Sequence, residues 1–208
     1  PQMADAAEIM AQIDRKPDIS YAALTPNQKG LDAALSACAS EVAIFGSASE
    51  GFSQANINCS IQESLTRFEP VLQAAKAAGI PVRGYVSCVI SCPYDGAVSP
   101  RAVADVAAKL FDMGCYEISL GDTIGAGTPD TIKAMLSAVI GRVPVDHIAG
   151  HFHDTNGRAL DNIRASLEMG VRVFDAAVGG LGGCPYAPGA KGNVATEAVV
   201  SMLDDLGF

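Results

Sequence analysis

Six short apolar runs recur along this chain of 208 residues, at positions 19–24, 41–45, 82–89, 116–120, 148–153 and 171–178, with helical patterns between them. A strand, its crossover helix and the next strand take about 30 residues, and a crossover of that length joins parallel strands. No other feature of the chain constrains the fold as much. It demands a parallel sheet with helices packed outside.

The helix signals agree with that reading. Ser60-x-x-Glu63 is a capping box, and it opens a helix whose buried stripe is Ile61, Leu65, Phe68 and Leu72. Pro70 is expected to bend this helix and Gly79 to end it. Ser99-Pro100 and Thr128-Pro129 each set a cap before a proline at the first helical position, and Gly114 stops the first of the two helices. Ahead of the first run, residues 3–14 place Met3, Ala6, Ala7, Met10 and Ile13 on one helical face.

A parallel sheet can stay open or close on itself. A doubly wound sheet would carry a Gly-x-Gly-x-x-Gly loop after an early strand, whereas the first strand here runs into Thr25-Pro26-Asn27. A barrel puts its functional loops at the C-terminal ends of its strands, where the polar, glycine-rich segments of this chain fall. The expected fold is α/β, a (β/α)8 TIM barrel with six of its eight strands, the third to the eighth, present. Residues 1–208 are then one TIM-barrel catalytic domain, expected to be incomplete at its N-terminus and at its C-terminus.

Composition removes several function classes. Fourteen basic residues against 23 acidic ones give a net charge of −9, which argues against a nucleic-acid surface. No apolar run approaches the ~18 residues of a membrane span, so no membrane partner is expected. Six cysteines lie in a chain that is 49% hydrophobic and needs no staples, so free thiols in a reducing compartment are expected. Cys88 and Cys92 have three residues between them, too many for a redox or zinc-knuckle pair.

The chemistry-bearing residues cluster near the end of the chain. His151 and His153 flank Phe152 at a strand end, and alternation turns both rings to the same side as a pair of metal ligands. Asp154 reads best as a helix cap, and His147 as an exposed residue before the strand. Asn193 follows Gly192, and its amide oxygen suits either a hard cation or a turn. Cys184, in Gly182-Gly183-Cys184-Pro185, is a candidate acid or base on a glycine-rich lid. Asp122 opens the loop after the fourth run, as a turn-former or as a catalytic carboxylate. Lys191, between glycines, is a poor Schiff-base lysine.

These segments make the chain similar to the 3-hydroxy-3-methylglutaryl-CoA lyase family. The resemblance rests on Gly-Asp-Thr-Ile-Gly-Ala-Gly-Thr-Pro at 121–129, Gly-His-Phe-His-Asp-Thr at 150–155 and Gly-Leu-Gly-Gly-Cys-Pro-Tyr-Ala-Pro-Gly-Ala-Lys-Gly-Asn at 180–193. Leu24-Thr25-Pro26-Asn27, Asn56-Ile57-Asn58-Cys59-Ser60 and Arg83-Gly84-Tyr85-Val86-Ser87-Cys88 extend it over nearly the whole chain. It implies a divalent cation, Mg2+ or Mn2+, on His151, His153 and Asn193. It also implies Cys184 as the loop acid/base, Asp122 assisting proton transfer at the substrate hydroxyl, and Asn56 near an acyl-CoA substrate. The implied reaction is retro-Claisen cleavage to acetyl-CoA and acetoacetate, in a homodimer of the cytoplasm, or of the mitochondrial matrix in a eukaryote.

The family's Arg-Asp-Gly motif of the first barrel strand, which carries a carboxylate ligand, does not occur in this chain. The alternatives are an acyl-CoA-condensing synthase or aldolase of the same barrel group, and a truncated, non-catalytic metal-binding barrel. A metallohydrolase barrel is disfavoured, because only three histidines are present. Residues 1–208 purified alone are expected to fold poorly and to be inactive. Robust cleavage by that segment would overturn the expectation.

Overall fold

The computed structural model describes residues 5–183 and 192–208. In chain order the elements are α1 (Ala6–Gln12), β1 (Ala22–Leu24), α2 (Gln28–Ser36), β2 (Glu41–Ser47), α3 (Glu50–Ile57), α4 (Ile61–Ala77) and β3 (Val82–Ser87). There follow β4 (Ser91–Cys92), β5 (Gly96–Ala97), α5 (Pro100–Asp112), β6 (Glu117–Asp122), α6 (Pro129–Ile140), β7 (Ile148–Phe152), α7 (Ala159–Glu168), β8 (Val173–Asp175) and α8 (Thr196–Leu206).

Six strands form one parallel sheet in the order β1-β2-β3-β6-β7-β8, and it curls into a half-barrel. β4 and β5 make a separate antiparallel ladder in the loop after β3. The expected barrel architecture and its six strands are therefore present.

Side-chain alternation divides the sheet into two faces. Val82, Val86, Ile118, Leu120, Ile148 and Phe152 point toward the helices and join one core with Leu110 of α5, Met135 and Leu136 of α6 and Ile163 of α7. The intervening positions, among them Arg83, Tyr85, Glu117, Ser119, His151 and Asp175, carry polar groups that bond to one another. The register aligns Arg83 with Glu117 and His151 with Asp175 on neighbouring strands, which decides which of these groups meet.

Caps behave as their chemistry requires. Ser60 and Glu63 form the reciprocal capping box of α4, and Ser99 and Thr128 cap α5 and α6 ahead of their prolines. Pro70 sits inside α4 without ending it. Five cysteines fall within the described residues and all are free thiols, four of them buried.

The differences from expectation lie at strand ends and at the sheet's edge. The run at 19–24 yields only the three residues of β1, with Ile19 54% and Leu24 60% exposed. On its outer side β1 has no strand partner among the described residues, so nothing there extends the ladder. No residue of α1 is buried, although Met10 packs partly against the core. The run at 82–89 leaves the ladder at Cys88, where φ is +60° and the N–H donates to Thr123 Oγ1 at 2.9 Å. The run at 171–178 is cut to β8, and Val171 is spent on the core instead. His147 is half-buried rather than exposed, because a ring nitrogen bonds the Tyr116 carbonyl at 2.6 Å.

The core assignment has a direct test. Leu110 and Ile118 are fully buried. Leu110→Ala is expected to lose about 2–5 kcal/mol and Ile118→Val about 0.5–1.5 kcal/mol, read by urea denaturation of the full chain. A Leu110→Ala loss no larger than that of Ile118→Val would remove α5 from the centre of the core.

Candidate active site

A cavity of about 340 Å3 opens at the C-terminal ends of the strands, and both histidines line it together with Asn56, Tyr85, Thr123 and Asn193. Four of the six residues expected in the site (His151, His153, Asn193 and Asn56) therefore meet around one space. Cys184 and Lys191 lie outside the described residues.

His151 is the fourth residue of β7, and His153 follows the strand's end. There His153 pairs with Asn193 in an isolated antiparallel bridge. The ring centroids of His151 and His153 stand 5.5 Å apart. Burial, and secondarily the neighbouring His151, push His153 down to about 4, against a smaller opposing pull from the Thr123 carbonyl. It is thus a neutral imidazole with an electron pair to give. Its Nδ1 is buried and has no hydrogen-bond partner among the described residues. A buried polar atom left in that state is costly, and a cation would satisfy it.

Asn193 presents the complementary group. Its Nδ2 donates to the Leu181 carbonyl at 3.1 Å, and Oδ1 takes no hydrogen bond from the described residues, so it suits the role of a hard oxygen donor. Two imidazoles and one amide oxygen suit a divalent cation with further oxygen ligands. Among the described residues no group of three or more His, Cys, Asp or Glu side chains is placed to hold a metal, so this donor set is a partial shell.

Beneath the histidines lies a charged interior. Arg83 Nε meets Glu117 Oε1 at 2.6 Å, while its Nη1 donates to Asp175 Oδ1 at 2.7 Å and to the Tyr85 hydroxyl at 2.6 Å. Asp175 Oδ2 accepts from Ser119 Oγ at 2.7 Å and stands 3.1 Å from His151 Nδ1. Burial alone would raise Asp175, but the His151 bond and the Arg83 guanidinium hold its carboxyl down to about 2. Tyr85 also stacks its ring edge-on to His151, with centroids 6.1 Å apart. Asp175 and Tyr85 escaped the sequence reading. The one local signal was an acidic residue inside the apolar run 171–178, and its partner is set by strand register.

Asp122 is fully buried and does not line the cavity, although its neighbours Gly121 and Thr123 do. Its Oδ1 accepts the Ala126 N–H at 3.1 Å and its Oδ2 the Gly127 N–H at 2.8 Å. A Cβ on Gly127 would stand 2.8 Å from Asp122 Oδ2, so only glycine lets the backbone come this close. Burial pushes the Asp122 carboxyl up, and the two N–H groups pull it back. The carboxylate's observed work is to close the 122–127 turn that presents Thr123 to the cavity. Asp154 does what a cap does, accepting the N–H of Ala159 at the start of α7.

Asn56 reaches the cavity from α3, whose first turn is fastened at a distance. Ser49 caps it, and Asp95 of the β4–β5 loop accepts from Ser49 Oγ at 2.6 Å and from the Gly51 N–H at 2.7 Å. On the far side of the cavity, Glu197 of α8 accepts the Gly179 N–H at 3.0 Å, and the Asp154 N–H donates to the Gly192 carbonyl at 3.0 Å.

A family model described as HMGL-like matches residues 1–208. The mitochondrial hydroxymethylglutaryl-CoA lyase of Gallus gallus is 62% identical over 208 residues, covering all of this chain and 70% of that protein. A crystal structure of the HMG-CoA lyase from Brucella melitensis superposes with a TM-score of 0.97 at 63% identity, over 100% of this chain and 74% of that one. An HMG-CoA lyase from Acinetobacter baumannii in complex with coenzyme A and 3-methylmalate gives a TM-score of 0.94 at 36% identity, over 100% of this chain and 68% of that one. Among the curated relatives it matches, the chain spans 61% to 70% of their length.

The work assigned to Asp122 is testable. In Asp122→Asn one amide N–H must face the N–H of Ala126 or Gly127, at an expected cost of about 1–3 kcal/mol in urea denaturation. Unchanged stability together with a fall in turnover would return Asp122 to the substrate.

Proposed function

The chain belongs to the hydroxymethylglutaryl-CoA lyase family, and from that premise we propose that residues 1–208 form most of the catalytic barrel of a carbon–carbon lyase. The substrate is 3-hydroxy-3-methylglutaryl-CoA, and the products are acetyl-CoA and acetoacetate. One observation carries this reading: a neutral His153 whose buried Nδ1 has no hydrogen-bond partner among the described residues, His151 and the Asn193 amide share one cavity. A relative that holds coenzyme A supports an acyl-CoA thioester as the ligand.

Cleavage passes the proton of the tertiary hydroxyl to solvent, replaced in the balance by the one the enolate receives, and breaks the bond between the carbinol carbon and the thioester α-carbon. The bond's electron pair moves to the α-carbon, the carbinol carbon becomes the ketone of acetoacetate, and one proton added to the thioester enolate gives acetyl-CoA. A bound divalent cation, Mg2+ or Mn2+, supplies Lewis acidity that lowers the hydroxyl's pKa. His151, His153 and Asn193 Oδ1 would hold it.

The chain's own residues do the remaining work. Neutral His153 brings no positive charge to a site meant for a cation. Asn56 offers an amide from the α3 wall to the acyl-CoA. Cys184 delivers the proton to the enolate carbon, since thiols transfer protons readily near neutral pH. Asp122 is assigned to holding its turn, and so acts on the substrate hydroxyl only through Thr123's placement. A homodimer is the assembly that goes with this family reading.

The test is turnover of 3-hydroxy-3-methylglutaryl-CoA by a protein that carries residues 1–208 within a complete barrel, with acetoacetate as the product measured. Cys184→Ala is expected to lower kcat about 100- to 10,000-fold, while Mn2+ binding stays at the wild-type level. Near-wild-type cleavage by that variant would end the assignment of Cys184. Condensation of acetyl-CoA with a keto-acid acceptor, in place of cleavage, would move the chain to the synthases.

A further inference from the structure

Asp175 has more to do than balance Arg83. A carboxylate only accepts hydrogen bonds. Its Oδ1 is committed to Arg83 Nη1 at 2.7 Å, and its Oδ2 is shared by Ser119 Oγ at 2.7 Å and His151 Nδ1 at 3.1 Å. With Oδ2 as the acceptor, Nδ1 of His151 must carry the hydrogen. The electron pair then sits on Nε2, on the side of the ring turned away from Asp175.

We propose that Asp175 is a positioning residue for the cation site, fixing His151 in its Nδ1–H form so that Nε2 is the ligand atom. This inference rests on the metal-binding reading of His151 given above. Arg83 matters because it makes the arrangement one-directional. A guanidinium has donors and no acceptor, and Arg83 is clamped by Glu117 at 2.6 Å on its other side. A half-turn of the Asp175 carboxylate only exchanges two equivalent oxygens, and swinging it away would leave donors of Arg83 and Ser119 without this acceptor. Register supports the same assignment, since His151 and Asp175 are aligned partners on β7 and β8. The contact is thus built into the sheet and does not depend on a loop.

A bland alternative is that Asp175 serves only as a counter-ion to Arg83, with His151 nearby by accident. Asp175→Asn separates the two. The asparagine must turn its oxygen to Arg83, because an amide NH2 facing a guanidinium is repelled. Its NH2 then faces His151 and Ser119, Nδ1 becomes the acceptor, and the hydrogen moves to Nε2, where it blocks the cation.

Two measurements on a protein that carries residues 1–208 within a complete barrel decide the matter. In 15N NMR of the metal-free wild-type protein at a pH where His151 is neutral, the hydrogen is expected on Nδ1; finding it on Nε2 would overturn the proposal. Mn2+ titration followed by EPR is expected to show Asp175→Asn binding about 10- to 100-fold more weakly than wild type, with its hydrogen on Nε2. Binding within twofold of wild type would leave Asp175 as a counter-ion only. Should the variant fail to fold, the wild-type NMR result still decides. A wild-type protein that binds no Mn2+ would refute the metal-binding reading itself, an outcome distinct from these.

Discussion

The two-residue period of a parallel strand is the constraint on which this molecule depends. One set of positions must satisfy the helices and is apolar throughout the core, while the other set faces the inside of the curl. Here the inner set carries Arg83, Glu117 and Asp175, and burial of such groups is tolerated only when they are paired. Removing one partner from a buried pair of this kind costs about 3–5 kcal/mol, whereas the pair as a whole adds little to stability. The network is therefore better understood as a device for geometry. It locks the side chains on which the histidines rest.

The site inherits that rigidity from below and adjustability from above. His151 stands on a strand, while Asn56 and Asn193 come from a helix and a loop junction on either side of the cavity. Each of those two is secured by a bond to another part of the chain: α3 through Asp95, and Asn193 through the Leu181 carbonyl. Neutral His153 is a product of the same packing, since burial strips its charge and holds its Nδ1 away from any hydrogen-bond partner among the described residues.

Much of this was legible in the sequence, for physical reasons that differ between elements. Helix starts at Ser60, Ser99 and Thr128 were readable because a cap is satisfied within three residues of itself. β2, β3, β6 and β7 were readable because the face that meets the helices needs an apolar residue at every second position, between glycine and polar loop signals. The paired histidines were readable from alternation alone. Asp175 was not, because its meaning arises from its alignment with His151 across two strands 24 residues apart. Asp122 looked equally suited to a turn or to the substrate, and only the positions of the Ala126 and Gly127 N–H groups distinguish these. β1 shrank because apolar composition does not create a ladder partner.

One crossing of the backbone has a consequence of a different kind. At Gly192, φ is +109°, and a Cβ there would lie 1.8 Å from the Gly182 carbonyl oxygen. No rotamer relieves such an overlap, because the obstacle is main chain. The two positions therefore cannot drift independently in a lineage of such proteins. Any substitution at Gly192 must wait for the chain at Gly182 to be re-routed, and re-routing it would disturb the neighbouring Leu181 carbonyl that holds Asn193. The placement of Asn193 is thus tied to the main chain at Gly182 as well as to its own neighbour Gly192.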